Sequence, residues 1–308
     1  MKDIYDLIII GGGPAGMTAG IYARRNKIKT LLITKNFGGQ MARKAVPIEN
    51  YPGFKEISGI ELIQKFKEHL EKFEIDIETG SVIKIEKVNE NFRIFTENKK
   101  QFESKTVIIA SGADPRPLKV PGEKEFVGRG VSYCVTCDAP LFKNKTAAVI
   151  GGGNAGFEAA IALSKWAKKI YILEYGEKVI ADIENQELAQ KTGKVEIITG
   201  AALKEIQGDK FVNSIIYEDR KTGAKKELKV EGVFVEIGLQ PASAFAQNLV
   251  EFNEKGEIKV DFETFQTKTP GLFAAGDVNV GKFKQIITAC GEGAKAALAA
   301  YEFIKKSK

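Results

Sequence analysis

Apolar positions along this chain gather in short unbroken runs that stop on glycine, and the segments behind them change to helical spacing. Residues 6–16, DLIIIGGGPAG, begin with such a run, which reads as a buried strand. MTAGIYARRN behind it reads as a helix and KTLLIT as a second strand, so the pattern predicts a β-turn-α-β unit. The same order returns in TAAVIGGGNAGFEAAIALSKWAKKIYILE, where AAVI and KIYILE are the strands. Further along, KFKEHLEKF reads as a Lys- and Glu-rich helix. AAGDV (274–278) reads as an apolar strand that ends on Asp277, and KQIITACGEGAKAALAAYEFI as a long helix. Strands alternating with helices point to an α/β fold.

The glycines in the two turns sharpen this reading. Gly11, Gly13 and Gly16 have G-x-G-x-x-G spacing, and so do Gly151, Gly153 and Gly156. The first glycine permits the tight turn, and the second lets a pyrophosphate approach the backbone. The third lets helix and strand pack closely, while the helix N-terminus offers N–H donors and the positive end of its dipole. One bare copy is weak evidence. Two copies, each framed by strand and helix, predict two dinucleotide-binding units.

An acidic residue separates the copies. Glu174 closes its strand about twenty positions beyond Gly153, where a carboxylate can accept from both ribose hydroxyls. A 2′-phosphate would meet that carboxylate, and the residues that follow, YGEKVIAD, offer no arginine and only Lys178. This favours NADH over NADPH. The matching region of the first copy, ITKNFGGQ, has no acid, so its ribose must be held differently.

Composition narrows the class. A length of 308 residues suits two domains, and 44% hydrophobic with 28% charged residues describes an ordinary globular protein. The formal charge of +6 is spread along the chain and reads as a solvated lysine-rich surface, with no nucleic acid expected, though it can help steer an acidic partner. The opening apolar run is too short for a signal peptide, and no stretch approaches a membrane span. Three cysteines do not make a secreted disulfide scaffold, so a cytoplasmic location is expected.

Two of those cysteines, Cys134 and Cys137, share one C-x-x-C in YCVTCDAP. A metal site needs about four ligands. Only Cys290, in the last helix, and His69, in the Lys/Glu-rich helix, remain as candidates, so no metal is expected. Spacing alone leaves a redox pair and chance both open, and a position between two dinucleotide units favours the redox pair. Cys290 reads as a buried packing residue and His69 as a surface one.

Taken in order, GGGPAG, GGQ (38–40), ENYPG (49–53), ASGA (110–113), CVTCD (134–138), GGGNAG, IGLQP (237–241), and AAGDV followed by KQIITACGEG resemble the low-molecular-weight thioredoxin reductase family over the whole chain. CVTCDAPLF, LEYGEK and IGLQP look most like the reductase portion of the alkyl hydroperoxide reductase flavoproteins. The resemblance implies two Rossmann-like three-layer dinucleotide-binding domains. An FAD domain of residues 1–117 and 243–308 is interrupted by a nicotinamide domain, 118–242, that carries the C-x-x-C, with mobile hinges near Pro117 and Ser243. By similarity FAD is held by Gly11, Gly13, Gly16, Gln40, Asn50, Gly112, Asp277, Gln285 and Ile286. The nicotinamide nucleotide is held by Gly151, Gly153, Gly156, Glu174 and Gly238. Cys137 is the thiol that faces the flavin, Cys134 the one that attacks a partner disulfide, and Asp138 the acid that moves the proton. Read by itself, Asp138 has a helix N-cap as its alternative role; the acid role is favoured, and one residue can do both.

The family relatives of alkyl hydroperoxide reductase type carry an extra N-terminal thioredoxin-like region. This chain starts close before its first strand, so the expected acceptor is a separate thioredoxin- or glutaredoxin-like protein, and a homodimer is expected from the family. The chain departs from the family pattern at Lys284-Gln285 for Arg-Gln, at Glu174-Tyr175-Gly176 for His-Arg-Arg, and at Ala139 for Gly. The second departure keeps open a ferredoxin-fed disulfide reductase with a vestigial nicotinamide domain. A non-enzymatic redox-sensing flavoprotein is a further alternative. A ferredoxin–nicotinamide reductase on the same scaffold normally needs no C-x-x-C.

Overall fold

A computed structural model describes residues 4–43 and 47–306. The chain divides into one unit made of residues 4–42, 47–114 and 240–306 and a second made of Arg43 and residues 115–239.

The first unit opens with strand β1 (Ile4–Gly12), helix α1 (Pro14–Arg25), strand β2 (Thr30–Phe37), helix α2 (Gly59–Glu71) and strand β3 (Asp76–Thr79). β1 pairs in parallel with β2, and β2 with β3. Strands β4 (Val82–Val88), β5 (Asn91–Thr96) and β6 (Gln101–Ile109) then form an antiparallel meander, and β6 also runs parallel to β1. Alternation along β1 explains its unbroken apolar run. Leu7 and Ile9 pack with α1, Leu62 and Leu70, while Ile8 and Ile10 pack with Ile85, Phe92 and Ile94 of the meander. A strand covered on both faces has no polar side. Pro14 opens α1, where its missing N–H costs nothing, and Ser58 with Glu61 forms a capping box at the start of α2.

The chain leaves this unit through the short strand β7 (Ala113–Pro115). The second unit repeats the plan with strand β8 (Val131–Ser132), helix α3 (Val135–Asp138), β9 (Thr146–Ile150), α4 (Asn154–Ser164), β10 (Lys169–Leu173), α5 (Ile183–Lys191) and β11 (Val195–Ile198). Its meander is β12 (Ala201–Gly208), β13 (Val212–Asp219) and β14 (Lys225–Lys229), followed by β15 (Gly232–Val235). The parallel sheet has the order β11-β10-β9-β15-β8. Ala147, Val149 and Ile172 pack on α4, whereas Ala148, Ile150 and Leu173 pack on the meander.

Strand β16 (Leu239–Pro241) returns the chain and pairs with β7 as a two-stranded ribbon. The chain passes from unit to unit after residue 114 and again after residue 239, within this ribbon. Strand β17 (Leu272–Ala274) then joins β6 in parallel, from Leu272 opposite Val107 to Ala274 opposite Ile109. Helix α6 (Ile286–Lys306) completes the first unit and buries Ala289, Gly293, Ala296, Ala297 and Ala300. These small residues let α6 lie close on α1: a Cβ at Gly293 would stand 2.1 Å from the Ala15 carbonyl oxygen. Among the described residues no helix is long and apolar enough to cross a membrane.

Candidate functional site: two glycine cradles and a disulfide

In the first unit the turn after β1 forms a cradle of bare backbone. Gly11 has φ +116°, a conformation that favours glycine, and a Cβ there would lie 2.2 Å from the Ala110 carbonyl oxygen. A Cβ at Gly16 would lie 1.8 Å from the Gly11 carbonyl oxygen, so helix and strand meet here without a side chain between them. Above Gly13 and Gly112 the space is open to at least 4 Å. Gln40 donates its side-chain amide to the Ala113 carbonyl, which brings GGQ beside ASGA. Asn50 Nδ2 donates to Gln285 Oε1 at 3.2 Å, joining residues 235 positions apart at the start of α6, whose first residue is Ile286.

Asp277 follows β17 and the glycine turn at Gly276. Its half-buried carboxylate accepts no hydrogen bond from the described residues, and burial raises its pKa above the ordinary value, with Lys284 opposing the rise. The loop around it is braced from inside. Glu292 of α6 accepts from the Gly276 N–H and from Asn279 Nδ2, both at 2.7 Å, and Asn279 Oδ1 accepts from the Gly281 N–H at 2.7 Å. Burial raises the Glu292 pKa, and those two donors oppose it. Lys284 donates to the Asp277 carbonyl at 3.2 Å and to the Asn279 carbonyl, and pairs with Glu257 at 3.1 Å. Sequence reasoning missed Glu292, Asn279 and Glu257, because nothing in their spacing marks them. The lysine that replaces the family's arginine is thereby given a task, since one ammonium can bond two converging carbonyls and a carboxylate. These residues fit FAD: an open glycine cradle suits a pyrophosphate, and an unpartnered half-buried carboxylate suits ligand hydroxyls.

The second unit repeats the cradle. Gly151 has φ +119°, and a Cβ at Gly156 would stand 1.9 Å from the Gly151 carbonyl oxygen. Above Gly153 only Ile180 comes near, at 3.9 Å, and Gly238 faces open space. Ile180 is 82% exposed, although its N–H and that of Ala181 bond to the Gly152 carbonyl. Asn154, the first residue of α4, exchanges hydrogen bonds with Asp182 at 2.7 Å. Glu174 braces the turn. Its Oε2 accepts from the Gly152 N–H at 2.7 Å and its Oε1 from the Gly176 N–H at 2.6 Å, so the carboxylate holds the turn while keeping a lone pair on each oxygen. These groups fit a nicotinamide dinucleotide.

The local sequence after Glu174 lacks an arginine, but the fold supplies one. Arg220, in the turn after β13, donates Nη1 to the Tyr175 carbonyl at 3.0 Å, and its guanidinium lies 4.0 Å from the centre of the Tyr175 ring. A contact across 45 positions leaves no local signal.

The same unit carries the cysteines. Cys134 and Cys137 are joined as a disulfide at the start of α3. Val135, Ala139 and Phe142 anchor this turn in the core, and Phe142 occupies the space where Gly232 has no side chain. The Cys137 N–H points at Cys134 Sγ at 3.3 Å, and Cys137 is the more exposed of the pair. The Cys134 N–H donates to Ser132 Oγ at 3.0 Å, and the Ser132 hydroxyl donates to Asp138 Oδ2 at 2.6 Å. Asp138 therefore reaches the cysteine turn through Ser132, and its side chain caps neither α3 nor the 3₁₀ turn that follows. Ala139 is helical, at φ −51° and ψ −40°, so replacing the family's glycine brings no strain. Tyr133, beside Cys134, donates to the buried Glu123, which also takes the Leu118 and Lys119 N–H groups at 2.6 and 2.7 Å.

Cys290 is buried in α6, with Sγ 3.9 Å from the Tyr51 hydroxyl. Burial pushes its thiol up, and burial together with Cys290 pushes Tyr51 up to about 12. His69 is exposed next to Phe73. Among the described residues no group of three or more His, Cys, Asp or Glu could hold a metal ion.

Known proteins share this arrangement. The profile of the pyridine nucleotide-disulphide oxidoreductase family matches residues 5–293. An alkyl hydroperoxide reductase component of Staphylococcus epidermidis is 44% identical over 304 residues, which are 98% of this chain and 60% of that protein. The chain thus spans about 60% of the length of the curated relatives it matches. The crystal structure of Lactococcus lactis thioredoxin reductase is 41% identical, with a TM-score of 0.91 over 98% of this chain and 99% of that one. That of T. acidophilum thioredoxin reductase is 39% identical, with a TM-score of 0.87 over 97% and 98%. The chain belongs to the pyridine nucleotide-disulphide oxidoreductase family, among the low-molecular-weight thioredoxin reductases.

Proposed function

We propose that the chain is a flavoprotein disulfide reductase that passes electrons from NADH, in preference to NADPH, through FAD and the Cys134–Cys137 pair to a thioredoxin- or glutaredoxin-like protein. The observation that carries this reading is the disulfide on α3, in the unit that also holds the second glycine cradle. Bound FAD supplies a two-electron carrier between the nicotinamide and that disulfide.

The chain's own groups account for the remaining chemistry. Two electrons and two protons convert the disulfide to two thiols. Cys134 then attacks as a thiolate, forming a mixed disulfide with the partner and releasing the partner's first sulfur as a thiolate. Attack of the Cys137 thiolate on Cys134 Sγ breaks the mixed disulfide, restores the internal one and releases the second sulfur. The Cys137 N–H beside Cys134 Sγ favours negative charge on Cys134 and supports its role as the attacking sulfur. Asp138, which accepts from the Ser132 hydroxyl, takes and returns the proton, a role supported by its link to the cysteine turn. The Glu174 lone pairs left by Gly152 and Gly176 suit the two ribose hydroxyls, and its charge opposes a 2′-phosphate.

Anaerobic titration of the FAD-loaded protein tests the donor. Flavin bleaching at far lower NADH than NADPH is expected. No bleaching by either, with flavin still reducible by dithionite or reduced ferredoxin, would replace the donor. Converting Cys137 to serine tests the route beyond the flavin. We expect at least about a thousandfold loss of turnover on thioredoxin, as for loss of an essential nucleophile, with the flavin still bleached by NADH. Retained turnover would overturn the mechanism.

A further inference from the structure

We propose that Tyr175, held by Arg220, is the platform on which the adenine of the nicotinamide dinucleotide stacks. The proposal rests on the nicotinamide reading given above.

Position comes first. The acid that closes the second strand of a dinucleotide-binding unit meets the ribose that bears the adenine, so a side chain directly beyond that acid is within reach of the base. That residue is Tyr175, directly after Glu174. The family's arginines at this point are replaced by a neutral aromatic ring and a glycine. Tyr175 is 62% exposed, and Arg220 lies over its ring with the guanidinium 4.0 Å from the ring centre, so one side of the ring is taken by the cation and the residue as a whole still faces solvent.

The fold does not need this stack. Backbone bonds already tie the three segments together: the Arg220 N–H to the Gly200 carbonyl at 2.8 Å, the Gly200 N–H to the Gly176 carbonyl at 2.8 Å, and the Ala201 N–H to the Glu174 carbonyl at 2.9 Å. The Arg220 side chain adds its bond to the Tyr175 carbonyl. An exposed aromatic ring backed by a planar cation is a surface suited to a purine. Every base has a π-face, and a guanidinium behind the ring fixes its orientation. Arg220 therefore acts through Tyr175 as a positioning residue. It does not read a 2′-phosphate, because its side chain is committed to the ring and to the Tyr175 carbonyl.

The FAD-loaded protein and its variants are titrated calorimetrically with NAD⁺, NADP⁺ and ADP-ribose, none of which reduces the flavin. Tyr175→Ala is expected to weaken NAD⁺ and ADP-ribose together by about tenfold, the usual scale for loss of one base–aromatic stack, while Tyr175→Trp retains binding. Arg220→Ala is expected to weaken both by about threefold, in line with an exposed cation–π contact, and to weaken NADP⁺ in the same proportion. Unchanged NAD⁺ and ADP-ribose binding in Tyr175→Ala would overturn the platform. A loss confined to NADP⁺ in Arg220→Ala would overturn it too, and would make Arg220 a phosphate contact. If the unmodified protein bound neither NAD⁺ nor ADP-ribose, the nicotinamide reading itself would fall. Melting temperatures of the variants close to that of the parent exclude a general loss of fold.

Discussion

The two glycine cradles share a backbone and differ in the side chain set against the middle glycine. Gly11 and Gly151 turn through nearly the same φ, and Gly16 and Gly156 leave the same gap over the carbonyl of the first glycine. The middle glycines reveal the difference. A Cβ at Gly12 would meet Thr34 Oγ1 at 2.7 Å, whereas a Cβ at Gly152 would meet Glu174 Oε2 at 2.8 Å. A neutral hydroxyl that donates to the Asn36 carbonyl stands in one cradle where an anion stands in the other. On the reading proposed above, the backbone sets where a pyrophosphate can lie, and the residue against the middle glycine sets what the adjoining ribose meets. In the first unit the charge appears elsewhere, at Asp277 beyond a different strand.

The largest effect should come from filling one cradle at a time. Gly16→Ala places a Cβ against the Gly11 carbonyl and is expected to weaken FAD retention by about a hundredfold, near the upper end of overpacking costs. Gly156→Ala should leave FAD bound and weaken NAD⁺ by a similar factor, read by calorimetry on the flavin-loaded protein. Loss of both ligands in either variant would break the separation of the two cradles.

Asp277→Asn should come next. Loss of a charged acceptor is expected to weaken FAD by about tenfold or more. The apoprotein, by contrast, should become more stable, because the raised pKa of Asp277 means that the folded state holds its proton more tightly than the unfolded chain does. The sign follows: this group's contribution to apoprotein stability falls as the pH rises from the ordinary value of 3.8 through the raised one. Urea unfolding of the apoprotein across that window should show the slope in the parent and a flatter profile in the variant.

The smallest effect belongs to Glu174→Gln. An amide can still accept from one N–H, but it loses one backbone partner and the charge that opposes a 2′-phosphate. NAD⁺ binding should weaken about fivefold, a single hydrogen bond's worth, and NADP⁺ should weaken less, so that the preference narrows. An unchanged ratio would remove Glu174 as the selector.

Much of this was legible in the chain itself. The strands that precede each glycine turn announce themselves because they are buried on both faces, and the G-x-G-x-x-G spacing carries its own steric logic. The C-x-x-C was visible as a candidate pair, and the resemblance brought in Gln40, Asn50 and Gln285 from distant segments. What stayed hidden depends on register between segments that no local rule connects. Glu292 faces Asn279 because α6 returns over the loop after β17, and Arg220 reaches Tyr175 because β13 turns beside the end of β10. The residues directly after Glu174 contain no arginine, and such a window says nothing about a turn 45 positions on, from which Arg220 reaches Tyr175.

The interrupted first sheet has a consequence for how the molecule is made. Strand β6 pairs with β17 along Val107–Ile109, and α1 takes its closest helical cover from α6, yet the whole second sheet is encoded between these partners. On a ribosome the second unit has all its strands before β17 and α6 emerge, so it can be complete while the first still shows an open apolar edge at β6. The Asn50–Gln285 contact and the carboxylate of Asp277 arrive with that later stretch. On the flavin reading proposed above, capture of the cofactor waits for β17 and α6, and so follows synthesis of the disulfide-bearing unit.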